Sequence, residues 1–234
     1  MAAATDQARR CLVIVTRAPD AGPSKTRLAA GVGAGPVLRL QRAFMHDTLS
    51  WAADLAEIRV LSVHPPTAAP ALAGEAPGCT VVAQTESDFG ARMRGAVNAG
   101  FAAGGTPVAM IATDSPSLPA ALVEEAFTLV GGTSAAGAEA DVALGPAEDG
   151  GWVLIATRAP LPDTCFDGVR WSSPQTLTDT VAGLERCGLR VGRTEPWYDV
   201  DERADLDRLA SDARDGSGSR LARTRAELGR LGIG

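Results

Sequence analysis

The chain has 234 residues, 45% hydrophobic and 21% charged, with a net charge of −6. That is enough for one sizeable α/β domain, and no break in composition marks a second. No basic run could track a phosphate backbone, which argues against nucleic acid as the principal partner but not against a small anion held by local cations. No apolar stretch approaches the roughly 18 residues that cross a bilayer, and the opening MAAATDQARR lacks the apolar core of a signal peptide, so no membrane partner and a cytoplasmic location are expected.

In chain order, Cys11–Thr16 (CLVIVT) is a continuous apolar, β-branched run, the pattern of a central strand covered on both faces. After a loop, Val37, Leu40, Phe44, Met45, Leu49, Ala52 and Leu55 recur at helical spacing. Ile58–Val63 predicts a second strand, residues 64–78 a loop with a short helix at most, and Cys79–Gln84 a third strand. A helix from Phe89 and a buried strand over Pro107–Thr113 follow, then a helix with Pro119 at its first position. Asp141–Pro146 and Gly151–Thr157 predict two strands too close for a helical crossover, hence mixed pairing. Ser173 as N-cap, Pro174 in the first turn and Gly188 as terminator frame the next helix, before a last strand in LRVGRTE. A helix from about Glu202, a flexible link RDGSGSR and a helix over Leu221–Leu231 complete the chain. The alternation implies a mostly parallel sheet with helices on both faces and a ligand at the carboxyl ends of its strands. A single catalytic domain over 1–212 is expected, with link and terminal helix over 213–234. Cys11, Cys79, Cys165 and Cys187 are too dispersed for a zinc or dithiol motif and are expected to be buried free thiols.

The loop after the first strand, TRAPDAGPSKTRLA, is not a Walker A loop: Ser24 precedes Lys25, and Pro19 stands where the first glycine belongs. No GxGxxG motif follows a strand either. What remains is a turn at Gly22 and then Lys25, Thr26 and Arg27 at a helix start, where backbone N–H groups and two cations can meet an anion. Thr16, Arg17, Ala18, Gly22 and Lys25 are thus candidate nucleotide contacts, with a solvated loop as the alternative. Gln84 could bond a base edge, Gly90 could let backbone approach a ring, and Arg92 could meet a phosphate or carboxylate.

Asp114 ends the fourth strand, and Asp199 and Asp201 share a face if their segment is extended, with Val200 pointing away. Three converging carboxylates would repel by about 1–4 kcal/mol per close pair and would call for Mg²⁺ or Mn²⁺. The alternative is Asp201 as an ordinary N-cap with Asp199 solvated. Asp149 and Gly150 read as a hairpin turn, with Gly151 leaving room for a substrate. Trp171 and Ser172 could contact an acceptor or only precede a helix cap.

The ordered motifs RAPDAGPSKTRL, HDTL, QTESDFGARM, TDSPSL, GPAEDGGWVLI, WSS and DVDERADL, spanning Cys11 to Leu209, resemble a bacterial glycosyltransferase-A-like family labelled as arsenosugar-biosynthesis or uncharacterised glycosyltransferases. More distantly the chain is similar to 2-phospho-L-lactate and molybdenum-cofactor guanylyltransferases. The resemblance implies a three-layer α/β/α, Rossmann-like GT-A (nucleotide-diphospho-sugar transferase) fold with a mixed, mostly parallel sheet of seven strands and nucleotide over its first half. By position it implies Lys25 and Arg27 on phosphates and Asp114, Asp199 and Asp201 on the metal. Asp149, Gly150 and Gly151 would lie on the acceptor or sugar side, near Trp171 and Ser172.

Two reactions fit. In nucleotidyl transfer from an NTP to a small phosphorylated acceptor, Lys25 and Arg27 stabilise the leaving pyrophosphate. In glycosyl transfer from an NDP-sugar, Asp149 serves as base for an acceptor hydroxyl. The loop cations favour the first, and a nucleotide-binding protein without turnover is the non-enzymatic alternative. Oligomeric state is open, a homo-oligomer included.

Overall fold

The computed structural model describes residues 8–20, 22, 24–131, 139–214 and 220–234. Its elements are β1 (Cys11–Arg17), α1 (Thr26–Val32), α2 (Ala34–Trp51), β2 (Ile58–His64), α3 (Ala69–Leu72), β3 (Thr80–Ala83), α4 (Phe89–Ala102) and β4 (Val108–Ala112). They continue with α5 (Ala120–Gly131), β5 (Val142–Pro146), β6 (Trp152–Thr157), α6 (Thr176–Arg186), β7 (Val191–Arg193), α7 (Arg203–Arg214) and α8 (Ala222–Arg230). The strands form one seven-stranded sheet in the order β3-β2-β1-β4-β6-β5-β7. Strands β1 to β4 run parallel, with Val13 opposite both Val60 and Met110. Strand β6 is antiparallel to β4 and β5, and β5 is parallel to β7. Mixed pairing therefore arises where the short β5–β6 connection left no room for a crossover.

Alternation along the central strands builds two cores. Leu12, Ile14, Ala109 and Ile111 face Met45 and Leu49 of α2 and Phe127 of α5. Cys11, Val13, Val108 and Met110 face Met93 and Val97 of α4 and Leu184 of α6. Each such side chain removed from water contributes about 1.5–3 kcal/mol, which is why β1 and β4 read as unbroken apolar runs. Carboxyl ends of β1 to β4 consequently share one edge, where Arg17, His64, Gln84 and Asp114 emerge.

Local chemistry moved several expected boundaries. Residues 26–32 form a separate helix, α1, which Gly33 (φ 88°) ends by donating its N–H to the Ala29 carbonyl. Pro36 then falls in the first turn of α2, where no backbone donor is required. Helix α6 begins at Thr176, not at Pro174: Ser173 Oγ accepts from the Gln175 N–H, so Ser173 closes the preceding turn. Residues 215–219 of the expected flexible link lie outside the described residues. The helix beyond them is no appendage, because Leu221 and Leu228 share a third core with Leu28, Leu40, Leu206 and Leu209. The buried Asp47 carboxylate accepts the Arg223 and Thr224 N–H groups at 3.2 and 2.7 Å and so caps α8. All four cysteines are free thiols, but only Cys11 and Cys165 are buried, and burial pushes each of these up to about 12. Cys79 and Cys187 are half-buried, contrary to expectation.

Candidate functional site

Two cavities open along the carboxyl edge of the sheet and meet at Arg17 and Asp114. The first, of about 290 Å³, is lined by Lys25, Arg27 and Asp201 as well as these two. Lys25 is its organising group. The backbone there is left-handed (φ 46°, ψ 54°), an uncommon state for a residue with a Cβ. Its side chain is only 8% exposed, and Nζ lies 2.7 Å from Asp201 Oδ1 and 3.0 Å from Asp114 Oδ2. Burial works against the ammonium charge, but the two carboxylates outweigh it and the pKa of Lys25 rises. Arg27, 66% exposed, donates to Asp201 Oδ2 at 2.8 Å and to Glu202 at 3.0 Å. Arg17 makes no ion pair among the described residues and stands where the cavities join.

The second cavity, about 480 Å³, runs from Gln84 and His64 past Asp199 to Asp149, Trp152 and Trp171. Asp199 reaches it because its segment is pinned on both sides. Trp197 Nε1 donates to Ser117 Oγ, which donates to the Tyr198 hydroxyl, which in turn donates to Asp212. Val200 is buried and donates its N–H to the Asp114 carbonyl at 2.9 Å. Asp199 is pushed up to about 6, first by burial and then by Asp201, with Asp149 and Asp114 adding and Lys25 opposing. Burial also acts to raise Asp201, yet Lys25 and Arg27 prevail and hold it low. Asp201 is not the side-chain cap of α7: the Asp205 carboxylate accepts the Asp201 and Glu202 N–H groups at 2.8 and 2.7 Å. Nor is Asp199 solvated, since it is half-buried.

Most of the other candidates gather here. Thr16, Gln84, Arg92, Gly151, Trp171 and Ser172 line the second cavity. Thr16 Oγ1 lies 3.1 Å from Thr113 Oγ1, and Gln84 Nε2 donates to the Ser62 carbonyl at 3.1 Å. Asp149 Oδ1 accepts the Gly151 N–H at 2.8 Å, which leaves Oδ2 available. Four candidates line neither cavity: Ala18 is buried and bonded to the His64 carbonyl, Gly22 sits in the loop with φ 98°, and Gly90 and Gly150 act from behind. Gly150 (φ 91°) carries the turn under Asp149, and a Cβ there would lie 2.4 Å from the Pro174 carbonyl oxygen. Gly150→Ala is therefore expected to cost at least about 2 kcal/mol through left-handed strain and collision. A thermal melt checks this, and an unchanged midpoint would contradict the turn geometry.

Sequence reasoning missed His64, Phe89, Ser115 and Trp152, all of which line the second cavity. His64 carried a legible signal as a polar residue ending a buried strand beside the loop that follows β1; burial, Arg92 and Arg17 lower its pKa. Phe89 had another: an aromatic in the first position of a helix that Asp88 caps through the Ala91 N–H.

A mixed seven-stranded sheet with two cavities along the carboxyl edge of its parallel half is the architecture of the nucleotide-diphospho-sugar transferase fold. A structure from Desulfovibrio desulfuricans G20, a candidate nucleotide-diphospho-sugar transferase, is similar over 95% of this chain and 96% of its own, at 30% identity and a TM-score of 0.79. The chain belongs to the family described as "Uncharacterized protein conserved in bacteria (DUF2064)", which matches residues 48–173. The fold is shared with the inositol-1-phosphate CTP transferase from T. maritima, at 12% identity over 93% of this chain and 96% of that one (TM-score 0.51). It is shared also with a 4-diphosphocytidyl-2C-methyl-D-erythritol synthase, at 13% identity over 84% and 96% (TM-score 0.52). No curated protein matches by sequence.

Proposed function

We propose that this chain is a nucleotidyltransferase that passes a nucleoside monophosphate from an NTP to a small acceptor. The observation that carries the reading is the separate cavity in which Lys25, Arg27 and Arg17, the last unpaired among the described residues, outnumber Asp114 and Asp201, joined to the main trench at Arg17 and Asp114. With the nucleoside along β1 to β3 and the α-phosphate at Asp114, that cavity is where a leaving pyrophosphate would emerge. The acceptor oxygen forms a bond to the α-phosphorus, the bond from that phosphorus to the bridging oxygen breaks, and Asp149 Oδ2 takes the acceptor's proton. Arg17 meets the new charge without giving up another partner.

The donor set fits a hard divalent cation. Among the described residues no three His, Cys, Asp or Glu groups form a metal site by themselves. Asp201 is matched by both Lys25 and Arg27, Asp114 shares Lys25 through Oδ2 alone, and Asp199 is an under-compensated carboxylate facing the same trench as Asp114. Asp114 and Asp199 would therefore hold Mg²⁺ or Mn²⁺, with substrate phosphates supplying further oxygens. The ion would neutralise phosphate charge at the reacting centre.

Glycosyl transfer is the second reading, favoured by what its 30%-identical structural neighbour is named for. Thermal shift separates the two. With Mg²⁺ and one NTP at a hundred times its dissociation constant, about 2.7 kcal/mol of added stability is expected, or roughly 5–10 °C for a chain of this length. Pyrophosphate release should accompany turnover. A metal-dependent shift with an NDP-sugar and none with NTPs moves the assignment to glycosyl transfer, and no shift with either removes the nucleotide site.

A further inference from the structure

The acceptor half of the second cavity is walled by three aromatic rings, Phe89, Trp152 and Trp171, with Phe166 packed against the two tryptophans. Trp171 lies at their centre, its ring centroid 4.9 Å from Phe89, 5.6 Å from Phe166 and 6.1 Å from Trp152. Phe89 is 44% exposed and is the only large apolar side chain left so open among the described residues. Gly90 sets the wall's depth, since a Cβ there would stand 3.3 Å from both Trp171 Nε1 and Phe166 Cβ. The indole N–H of Trp152 is used, donating to Thr180 Oγ1 at 3.2 Å. That of Trp171 has no protein acceptor among the described residues, and the Ser172 hydroxyl beside it, on a left-handed backbone (φ 55°), likewise has none. The charge on this side is the Asp149 carboxylate. Among the described residues that line this half of the cavity the cation is Arg92, which makes no ion pair; its guanidinium lies 5.5 Å from the Phe89 centroid and donates to the Ser87 carbonyl.

A phosphorylated acceptor would bring its charge to aromatic faces and a carboxylate, with one guanidinium, turned toward the Ser87 carbonyl, to set against it. A neutral ring meets complementary surfaces instead: aromatic faces for its apolar side, the Ser172 hydroxyl for its edge and a carboxylate for its own hydroxyl. We infer that the acceptor is an uncharged, hydroxyl-bearing ring compound that stacks on Trp171 and Phe89, and that Trp171 determines specificity for it. This deepens the proposed function and rests on its placement of the acceptor.

Isothermal titration tests it with three probes: methyl β-D-glucoside as a sugar ring, 4-hydroxybenzyl alcohol as an aromatic ring, and glucose 6-phosphate as the charged competitor. One of the neutral probes should bind, which also tells a sugar face from an aromatic one, and glucose 6-phosphate should bind at least tenfold more weakly than it. Trp171→Ala should weaken that binding at least tenfold while the thermal shift with Mg²⁺ and NTP stays, and Trp171→Phe should recover part of it. Tighter binding of the sugar phosphate, no binding of either neutral ring, or full retention in Trp171→Ala overturns the inference. Loss of the nucleotide shift in the unsubstituted protein overturns the proposed function instead, so the two failures are distinct.

Discussion

Lys25→Met should lower both stability and nucleotide affinity. The ammonium is buried between Asp114 and Asp201, whose side chains are 43% and 34% exposed. Removing one partner of a fully buried pair costs about 3–5 kcal/mol, and partial solvation of the two carboxylates reduces this to about 2–3 kcal/mol. That corresponds to a fall of roughly 4–12 °C in midpoint for a chain of this length. Arg27, on the surface, is already paired with Asp201 and Glu202. The sign of the pH dependence follows from Asp201, which Lys25 and Arg27 hold below its ordinary value against burial. Its contribution is present above the unfolded aspartate value of about 3.9 and is lost as pH falls through the lower folded value. The gap between the two proteins should accordingly be wide at pH 7 and shrink in acid. Denaturant melts at several pH values measure it, and equal midpoints at pH 7 would refute the buried-pair account. Weaker stabilisation by Mg²⁺ and NTP is expected in the same samples.

Asp199→Asn should do the reverse to stability and more to function. Folded Asp199 titrates near 6, above its unfolded value of about 3.9. The folded state therefore holds this proton more tightly, and stability declines as pH rises between the two values. At pH 7 the ionised group carries the whole penalty, about 3 kcal/mol from the shift and about 1–2 kcal/mol once solvent screening is allowed for. Asparagine removes the charge and keeps the shape, so the variant should melt several degrees higher at pH 7 and match the unsubstituted protein near pH 4. It should also lose the metal-dependent shift with NTP. A variant less stable at pH 7 would show that repulsion and burial do not set the state of this carboxylate.

How legible the molecule was depended on the range of the interactions. Strands β1 and β4 were plain because burial on both faces demands uninterrupted apolar residues, and the β5–β6 turn was plain because Asp149-Gly150 has few other uses. Helix α1 was legible at its start, beside Lys25, Thr26 and Arg27, but its extent was not, because a Cβ at Gly31 would lie 2.7 Å from Arg203 Cβ and that glycine answers to a helix far along the chain. The carboxylates showed in sequence as candidates, but which of them a lysine neutralises could not. Lys25 and Asp201 are 176 residues apart and meet only through the packing of α1 on α7. Of the aromatic wall only Trp171 was visible, without Phe89, Trp152 or the Phe166 behind them, because these rings come from three separate segments.

The third core has a mechanical consequence. Helices α1 and α7 are held together by Leu28, Leu206, Leu209, Leu221 and Leu228, residues drawn from both ends of the chain, and not by the sheet. Lys25, Arg27 and Asp201 ride on that layer, whereas Asp114 is rooted at the end of β4. Of the contacts Lys25 makes, the one to Asp201 lies within the layer and the one to Asp114 crosses to the sheet. A tilt of the layer as one body would part Lys25 from Asp114 and Arg208 of α7 from Glu148, sparing the Lys25–Asp201 pair, and would widen the cradle. Among the described residues the lysine is thus one of two ionic ties between that layer and the sheet.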